Sequence, residues 1–394
     1  MASSPSRSTR TASEHSSGFG STAPDTPHAL DCLVIGAGPA GVGTALALAA
    51  VKQLSFGVLE RGQVGQTFLD WVPEQTFLTP SFTGNGFGAT DLNAVHYETS
   101  PAFSLGVDYP TGAEYAKYLR SVVAHFRVPV LDGTEVTSVT RHGDGFRVLS
   151  ARGPAFARSL VWAGGEFGQP LAPRISGGAL VAHSSARKAW ETRDGDVVVI
   201  GGYESGIDIA CHHVEHGSRV TVVDAQSPWE SGRGSDPSYR LAPRSRILLQ
   251  QALASGRLTL VKDRAVGVKR TDSGFATRLN SGETIRSSTM PIAATGFGSG
   301  LGPVEHLFST REDGWPELDE DDQSTIAPGL FLSGPAIRHG GLKFCFVYKF
   351  RQRFAHIARV IGERAGKDTS ALEAWRSAGM LTDDLSCCDV QCGC

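Results

Sequence analysis

The chain predicts an α/β protein of two doubly wound parallel-sheet domains, the second inserted within the first. Three observations carry this. A strand, glycine turn, helix and strand follow one another over 30–60; the same unit recurs over 196–224; and the closing segments at 293–361 complete no third unit. Each unit is followed by two β-rich runs joined by a Gly/Asp turn, so each domain should also carry a small antiparallel element. The expected layout is a disordered leader over 1–28, a first domain over 29–190 and 293–365, an inserted domain over 191–292, and a short helix with a cysteine-rich tail over 366–394.

The elements justify themselves in order. The leader is rich in Ser, Thr and Pro and buries too little to fold; it also lacks the apolar core of a signal peptide. "LDCLVI" (30–35) is a short apolar run, read as a buried parallel strand. An Ala/Leu-rich helix without a polar face follows, then the strand "SFGVLE", which ends at Glu60. Residues 111–127 form a helix opened by a Thr111/Glu114 capping box. The hairpin of 134–151 and the strand "SLVWAGG" follow. The inserted unit starts at "DVVVIGGYESGIDIACHHVEHGSRVTVVDA" and continues through a helix near 244–254 and a second hairpin. One long aromatic and basic helix is expected over 342–361, and a last helix near 370–378 opened by a Ser370/Glu373 capping box.

Gly36-Ala37-Gly38-Pro39-Ala40-Gly41 fits the G-x-G-x-x-G pattern of a Rossmann-type dinucleotide site. The first glycine permits the tight turn, the second lets backbone approach a pyrophosphate, and the third lets helix pack on strand. The helix N-terminus then turns unpaired N–H groups and partial positive charge toward the phosphates. Glu60, at the next strand end, is placed to accept from ribose hydroxyls. In the second motif Gly201, Gly202, Glu204, Ser205 and Gly206 hold their places, but Tyr203 stands where the middle glycine belongs. Either the dinucleotide rides higher there, or the phenol swings aside, or the site is vestigial. Asp224 closes the following strand and favours NADH; Arg233 and its arginine neighbours downstream favour NADPH, and the choice stays open.

A net charge of −3 gives no basic footprint for nucleic acid, and no apolar run approaches the roughly 20 residues of a membrane span. Seven cysteines, an odd number with the first three far apart, are not a secreted disulfide framework, so a reducing cytoplasm is expected. A homodimer stays open.

With both units in view, the chain resembles, over roughly 30–362, the flavoproteins with two dinucleotide-binding domains: flavin-containing monooxygenases, thioredoxin reductase and bacillithiol-disulfide-reductase-like enzymes. "ERGQVGQTF" (60–68) looks like the monooxygenase stretch beside the flavin, with Gln66 and Phe68 in place of Gly and Trp. "VWAGG" and "AATGF" look like the two crossings between domains, and "LFLSGPAI" like the closing flavin motif, with Pro335 where disulfide reductases keep Asp. The resemblance implies FAD at Gly36, Gly38, Pro39, Ala40, Gly41, Glu60, Arg61, Gln66, Thr67, Val136 and Gly334. It implies NAD(P)H at the second motif with Asp224, Arg233 and Gly296. A helix starting near Gly341 would aim its N-terminus at the flavin pyrimidine.

Two electron outlets then compete, beside a third reading, drawn from Tyr203 and the altered flavin-side motifs, of a flavin-bound redox sensor or metal-binding protein without turnover. One is oxygen, for oxidation of a small-molecule substrate. The other is a thiol pair, but the body has no C-x4-C or C-x-x-C. That leaves the tail: "LSCC" is similar to the ending of mercuric reductases. Cys387 and Cys388 could relay electrons, the same pair with Cys392 and Cys394 could hold a soft metal, or the tail could do neither. Cys345, in the expected first turn of the flavin-facing helix, is a candidate partner thiol there and otherwise a small core residue. Cys32, Cys211 and the His212/His216 pair are expected to be structural. Lys349, Arg351, Arg353 and Arg359 are expected on a solvated face with some inter-domain pairing.

Overall fold

The computed structural model describes residues 29–84, 88–192, 194–230 and 236–385. Four strands and four helices of the first domain come first in the chain: β1 (Leu30–Ile35), α1 (Pro39–Ala50), β2 (Phe56–Leu59), α2 (Gln66–Leu69), α3 (Pro101–Leu105), α4 (Gly112–Phe126), β3 (Val130–Leu131) and β4 (Val136–His142). β5 (Gly145–Ser150) and β6 (Gly153–Trp162) follow. The sheet runs β3-β2-β1-β6-β5-β4. β6 does two jobs. Its first half pairs antiparallel with β5, while its second half runs parallel to β1 on one side and to the returning strand at Leu330–Leu332 on the other.

α1 is buried on every side from Ala40 to Leu48, as its all-apolar sequence requires. Gly43 makes this packing close: a Cβ there would lie 1.9 Å from the Phe354 ring. The α4 capping box forms as expected, with Thr111 N donating to Glu114 Oε2 at 2.8 Å and Arg127 ending the helix in the left-handed region.

The inserted domain holds β7 (Ala182–His183), α5 (Arg187–Trp190), β8 (Asp196–Ile200), α6 (Glu204–Glu215), β9 (Arg219–Val223), α7 (Pro243–Ala254) and β10 (Leu258–Val261). Then come β11 (Ala265–Thr271), β12 (Gly274–Leu279), β13 (Thr284–Ser287) and β14 (Ile292–Ala293). Its parallel sheet runs β10-β9-β8-β14-β7, and β11-β12-β13 form an antiparallel meander. This sheet reaches back to Ala182 and forward to Ala293, beyond the 191–292 expected, because β7 and β14 are two-residue strands with no hydrophobic period to mark them. The pleat of β8 divides the core: Val197 and Val199 pack toward α6 and α7, while Val198 and Ile200 pack toward the meander. Each such side chain contributes about 1.5–3 kcal/mol by leaving water.

β15 (Leu330–Leu332) returns the chain to the first sheet. The single helix expected over 342–361 is instead a hairpin, β16 (Arg338–His339) with β17 (Leu342–Lys343), then α8 (Val347–Phe350), a 3-10 turn at Arg351–Arg353, and α9 (Phe354–Arg364). The basic residues explain the break. Arg351 and Arg353 are buried, not solvated: Arg353 Nε meets Asp322 at 2.6 Å, and Arg351 donates to the Asp91 and Ala94 carbonyls. Lys349 does make an inter-domain pair, 2.7 Å from Asp236. The Ser370/Glu373 box does not form. Asp368 accepts from Ser370 N at 3.0 Å, a 3-10 turn covers Ser370–Leu372, and α10 (Glu373–Ser377) follows. No helix among the described residues is long and apolar enough to cross a membrane.

Candidate functional site

Both glycine turns are built alike. Gly36 has φ 102° and Gly201 has φ 103°, a region that favours glycine. A Cβ on either would strike the carbonyl of the opposite crossing, Ala163 O at 2.5 Å or Ala294 O at 2.3 Å. The third glycines are equally fixed: a Cβ at Gly41 would lie 1.8 Å from Gly36 O, and one at Gly206 1.9 Å from Gly201 O. The strand-end acids also match. Glu60 Oε2 accepts from Ala37 N at 2.7 Å, and Asp224 Oδ2 from Gly202 N at 2.8 Å.

The turns differ at the middle position. A Cβ at Gly38 would meet nothing within 4 Å, so the first turn opens onto free space at the N-terminus of α1. Pro39 starts that helix and needs no N–H partner. Around the turn, Gly65 N donates to Ala37 O at 3.0 Å and Thr134 N to Glu60 O at 2.7 Å, with Val136 buried just beyond. Gly334 follows β15 and comes against Ala40. These residues fit FAD: a cradle that a side chain would fill, a helix start for the diphosphate, and a buried acid at the sugar position. Gln66 is spent locally, its Nε2 on Asp70 at 2.8 Å. Arg61 and Thr67 line a cleft of about 120 Å³ with Trp71, Phe167 and Ser185.

In the second turn the phenol of Tyr203 is turned away, donating to Arg240 O at 2.8 Å, so only its backbone and Cβ stand at the cradle. Glu204 corrects its expected role. Its buried carboxylate accepts from Ala242 N and Ser245 Oγ, both at 2.5 Å, and fastens the start of α7. What Glu204 and the exposed Ser205 offer a phosphate is backbone. Trp229, missed in the sequence, lays its ring against Gly202 beside Asp224. Gly296, at φ 77°, gives its carbonyl to His183 Nε2 at 3.0 Å. The second turn fits a nicotinamide dinucleotide in backbone but is narrowed by one Cβ. Arg233 lies outside the described residues.

Cys345 is not in a helical turn. It lies before α8, whose first residue is Val347. Its thiol donates to Ser238 Oγ at 3.2 Å, and burial pushes its pKa up despite Lys349 and Arg338. A helix start does not activate it. Lys349 joins the same group, 2.9 Å from Ser238 Oγ and 2.7 Å from Asp236, so the inserted domain is latched to the segment after β17. Cys32 and Cys211 are buried, and burial pushes the Cys211 thiol up to about 12. His212 bonds Trp190 O at 3.0 Å, and among the described residues no group of three or more His, Cys, Asp or Glu is placed to hold a metal. Cys387, Cys388, Cys392 and Cys394 lie outside the described residues.

A chain of rings crosses between the domains. Trp71 and Phe167 are 5.6 Å apart, Phe167 and Phe297 4.6 Å, and Phe297 and His183 5.1 Å. Phe167 and Phe297 each follow one of the two crossings, a repeat that the sequence displays but that was not singled out.

The comparisons agree with this geometry. The family model described as pyridine nucleotide-disulphide oxidoreductase matches residues 33–334. A ferredoxin–NADP reductase of Rhodopseudomonas palustris (strain BisB18) is 25% identical over 322 residues, 77% of this chain and 82% of that protein. Among solved structures, the bacillithiol disulfide reductase Bdr (YpdA) from Staphylococcus aureus aligns with TM-score 0.69 and 21% identity, covering 85% of this chain and 98% of that one. A flavin-containing monooxygenase from Stenotrophomonas maltophilia aligns with TM-score 0.63 and 20% identity, covering 86% and 99%. At these identities the structural likeness shows the fold.

Proposed function

Since the chain belongs to the pyridine nucleotide-disulphide oxidoreductase family, we propose that it uses FAD and NAD(P)H to oxidise a small-molecule substrate, in the manner of the monooxygenase-like branch. The observation that carries this is the run of packed rings Trp71–Phe167–Phe297–His183 between the domains, whose first two members line a cleft with Arg61 and Thr67. When bound, FAD would supply the redox chemistry between NAD(P)H and oxygen, one oxygen atom going to the substrate and the other leaving as water. The chain's own part is to bind, orient and exclude water. The Gly36–Gly41 turn holds the diphosphate and Glu60 the sugar. The rings keep water from the cleft. His183, its ring nitrogens 2.8 Å from Ser185 Oγ and 3.0 Å from Gly296 O, is kept toward the neutral form by burial, so it adds no charge to the wall.

The test is anaerobic titration with NADH and then NADPH, followed by air. The expected result is bleaching of the flavin, then recovery with oxygen consumed. A protein that is colourless and refuses added FAD overturns the proposal.

A second reading, reduction of a disulfide or soft metal through the tail cysteines, rests on Cys345, the one described thiol beside the latch rather than in a core. It requires that NAD(P)H consumption fall when the chain is ended at Asp384; unchanged consumption removes it.

A further inference from the structure

Arg338 is a buried cation that makes no ion pair among the described residues. The residue is 6% exposed. Its guanidinium lies 3.9 Å from the centre of the Trp315 ring, and its Nη1 donates to the Pro335 and Ile337 carbonyls. That leaves the opposite edge. Nε is buried with no partner, and no described carboxylate comes within ion-pair distance of the group. The Nε/Nη2 edge is the fork that takes a carboxylate with two parallel hydrogen bonds.

A second cation is its cross-strand partner. Lys343, on the other strand of the β16–β17 hairpin, has its Nζ 4.1 Å from the centre of the Tyr239 ring and no carboxylate partner among the described residues. Burial and the charge of Arg338 both lower its pKa. The nearest acids do not neutralise the pair. Asp313 is held by Arg311 at 3.1 Å, Asp236 by Lys349 at 2.7 Å, and the Cys345 thiol donates to Ser238. Glu166, just past the first crossing, has a side chain with no hydrogen bond or ion pair among the described residues; burial pushes its carboxyl up to about 7, with Arg338 opposing. A buried guanidinium with a second cation beside it is unfavourable unless an anion offsets the charge.

We propose that the unpaired edge of Arg338, with Lys343 as its register partner across the hairpin, binds the carboxylate of the substrate. The substrate is then a small organic acid. This rests on the small-molecule oxidation proposed above, and deepens it. Above neutrality, ionised Glu166 competes for Arg338, so affinity should fall as pH rises from 6 to 8. Tyr239, Asp313 and Asp236 do not change charge in that range in a way that mimics this, since the two acids are ion-paired and the phenol's pKa is raised.

The test is calorimetric titration of the FAD-loaded protein with benzoate, and with benzamide as the uncharged counterpart. Benzoate should bind saturably at pH 6 and roughly tenfold more weakly at pH 8, and benzamide should not bind. Lys343→Met should weaken benzoate at least tenfold, and Glu166→Gln should abolish the pH dependence. Arg338→Met should abolish binding; because Nη1 also ties down two carbonyls, the half-buried Lys343 carries the test if that variant does not fold. Equal binding of benzoate and benzamide, or of neither, overturns the proposal. So does an Arg338→Met protein that binds benzoate normally while its flavin midpoint potential drops, since the cations would then serve the reduced flavin. No oxygen or NAD(P)H enters the measurement, so failure of the oxidation chemistry would not be mistaken for failure here.

Discussion

Replacing Gly41 and Gly38 separately by alanine should split the fold of the first domain from its cofactor. At Gly41 the new methyl would lie 1.8 Å from Gly36 O and 2.9 Å from its carbonyl carbon. Helix α1 cannot recede to make room, because Gly43 already admits the Phe354 ring on its far side, and Gly36 is fixed at φ 102°. Overpacking costs about 1–3 kcal/mol in ordinary cores. With backbone as the obstacle, the top of that range is the expectation, and about 3 kcal/mol lowers Tm by roughly 6–12 °C in a domain of this size. At Gly38 the backbone sits at φ −76°, which alanine adopts freely, and nothing lies within 4 Å. The apoprotein should melt as wild type. The methyl would instead occupy the cradle and displace the diphosphate from the α1 N–H groups. Losing one such charge-assisted bond costs about 1.5–3 kcal/mol, or roughly 10–100-fold in FAD affinity. Circular-dichroism melts of stripped protein and flavin-fluorescence titrations read the two effects. A Gly38→Ala protein that binds FAD normally, or a Gly41→Ala protein that melts as wild type, would refute the reasoning.

Other outcomes follow from single sites. Asp322 is fully buried between Arg353 Nε and His339 Nε2, both at 2.6 Å; Asp322→Asn leaves Arg353 buried without an anion and should cost about 3–5 kcal/mol in guanidinium unfolding, and a loss under about 1 would count against it. Burial lowers the His96 pKa from 6.5 to about 4. The unfolded chain therefore binds more protons between those values, and stability present above pH 6.5 should be lost as pH falls toward 4, by at most about 3 kcal/mol. His96→Asn should flatten that slope in urea melts; His213 and His356, also lowered by burial, keep part of it. Tyr203→Gly should tighten NADH binding about tenfold by clearing the second cradle, while costing some stability through the lost bond to Arg240 O; unchanged NADH affinity by fluorescence titration would mean the Cβ was no obstacle.

Sequence reasoning reached what backbone sterics dictate and missed what tertiary partners dictate. The outer glycines at 36, 41, 201 and 206, the strand-end acids and the Thr111/Glu114 box are local requirements, each visible as a residue type at a spacing. The helix expected over 342–361 failed because its arginines looked like a solvated stripe. Their partners Asp322 and the Asp91 carbonyl are remote in sequence, and only those partners turn Arg351 and Arg353 inward. The Ser370 box lost to Asp368 two residues earlier, a competition between equivalent local caps that pattern alone does not rank. Arg338 and Lys343 sit in a short hairpin with no period, so nothing in the sequence marked them as a pair.

The two glycine turns show where fold and ligand part company. Tyr203 breaks the sequence pattern, yet the turn around it repeats the first one in φ, in the reach of its acid and in the close approach of its crossing. The middle glycine is therefore no requirement of the strand–turn–helix geometry; its absence is felt only by whatever lies against the helix start. By the same logic the structural work of Glu204 on α7 keeps its carboxylate off the cradle, where it would otherwise repel a diphosphate. A residue expected at the nucleotide is thus held with its charge on α7 instead. In the dinucleotide site proposed for the second domain, Tyr203 and Trp229 rather than the fold set how closely the ligand can approach.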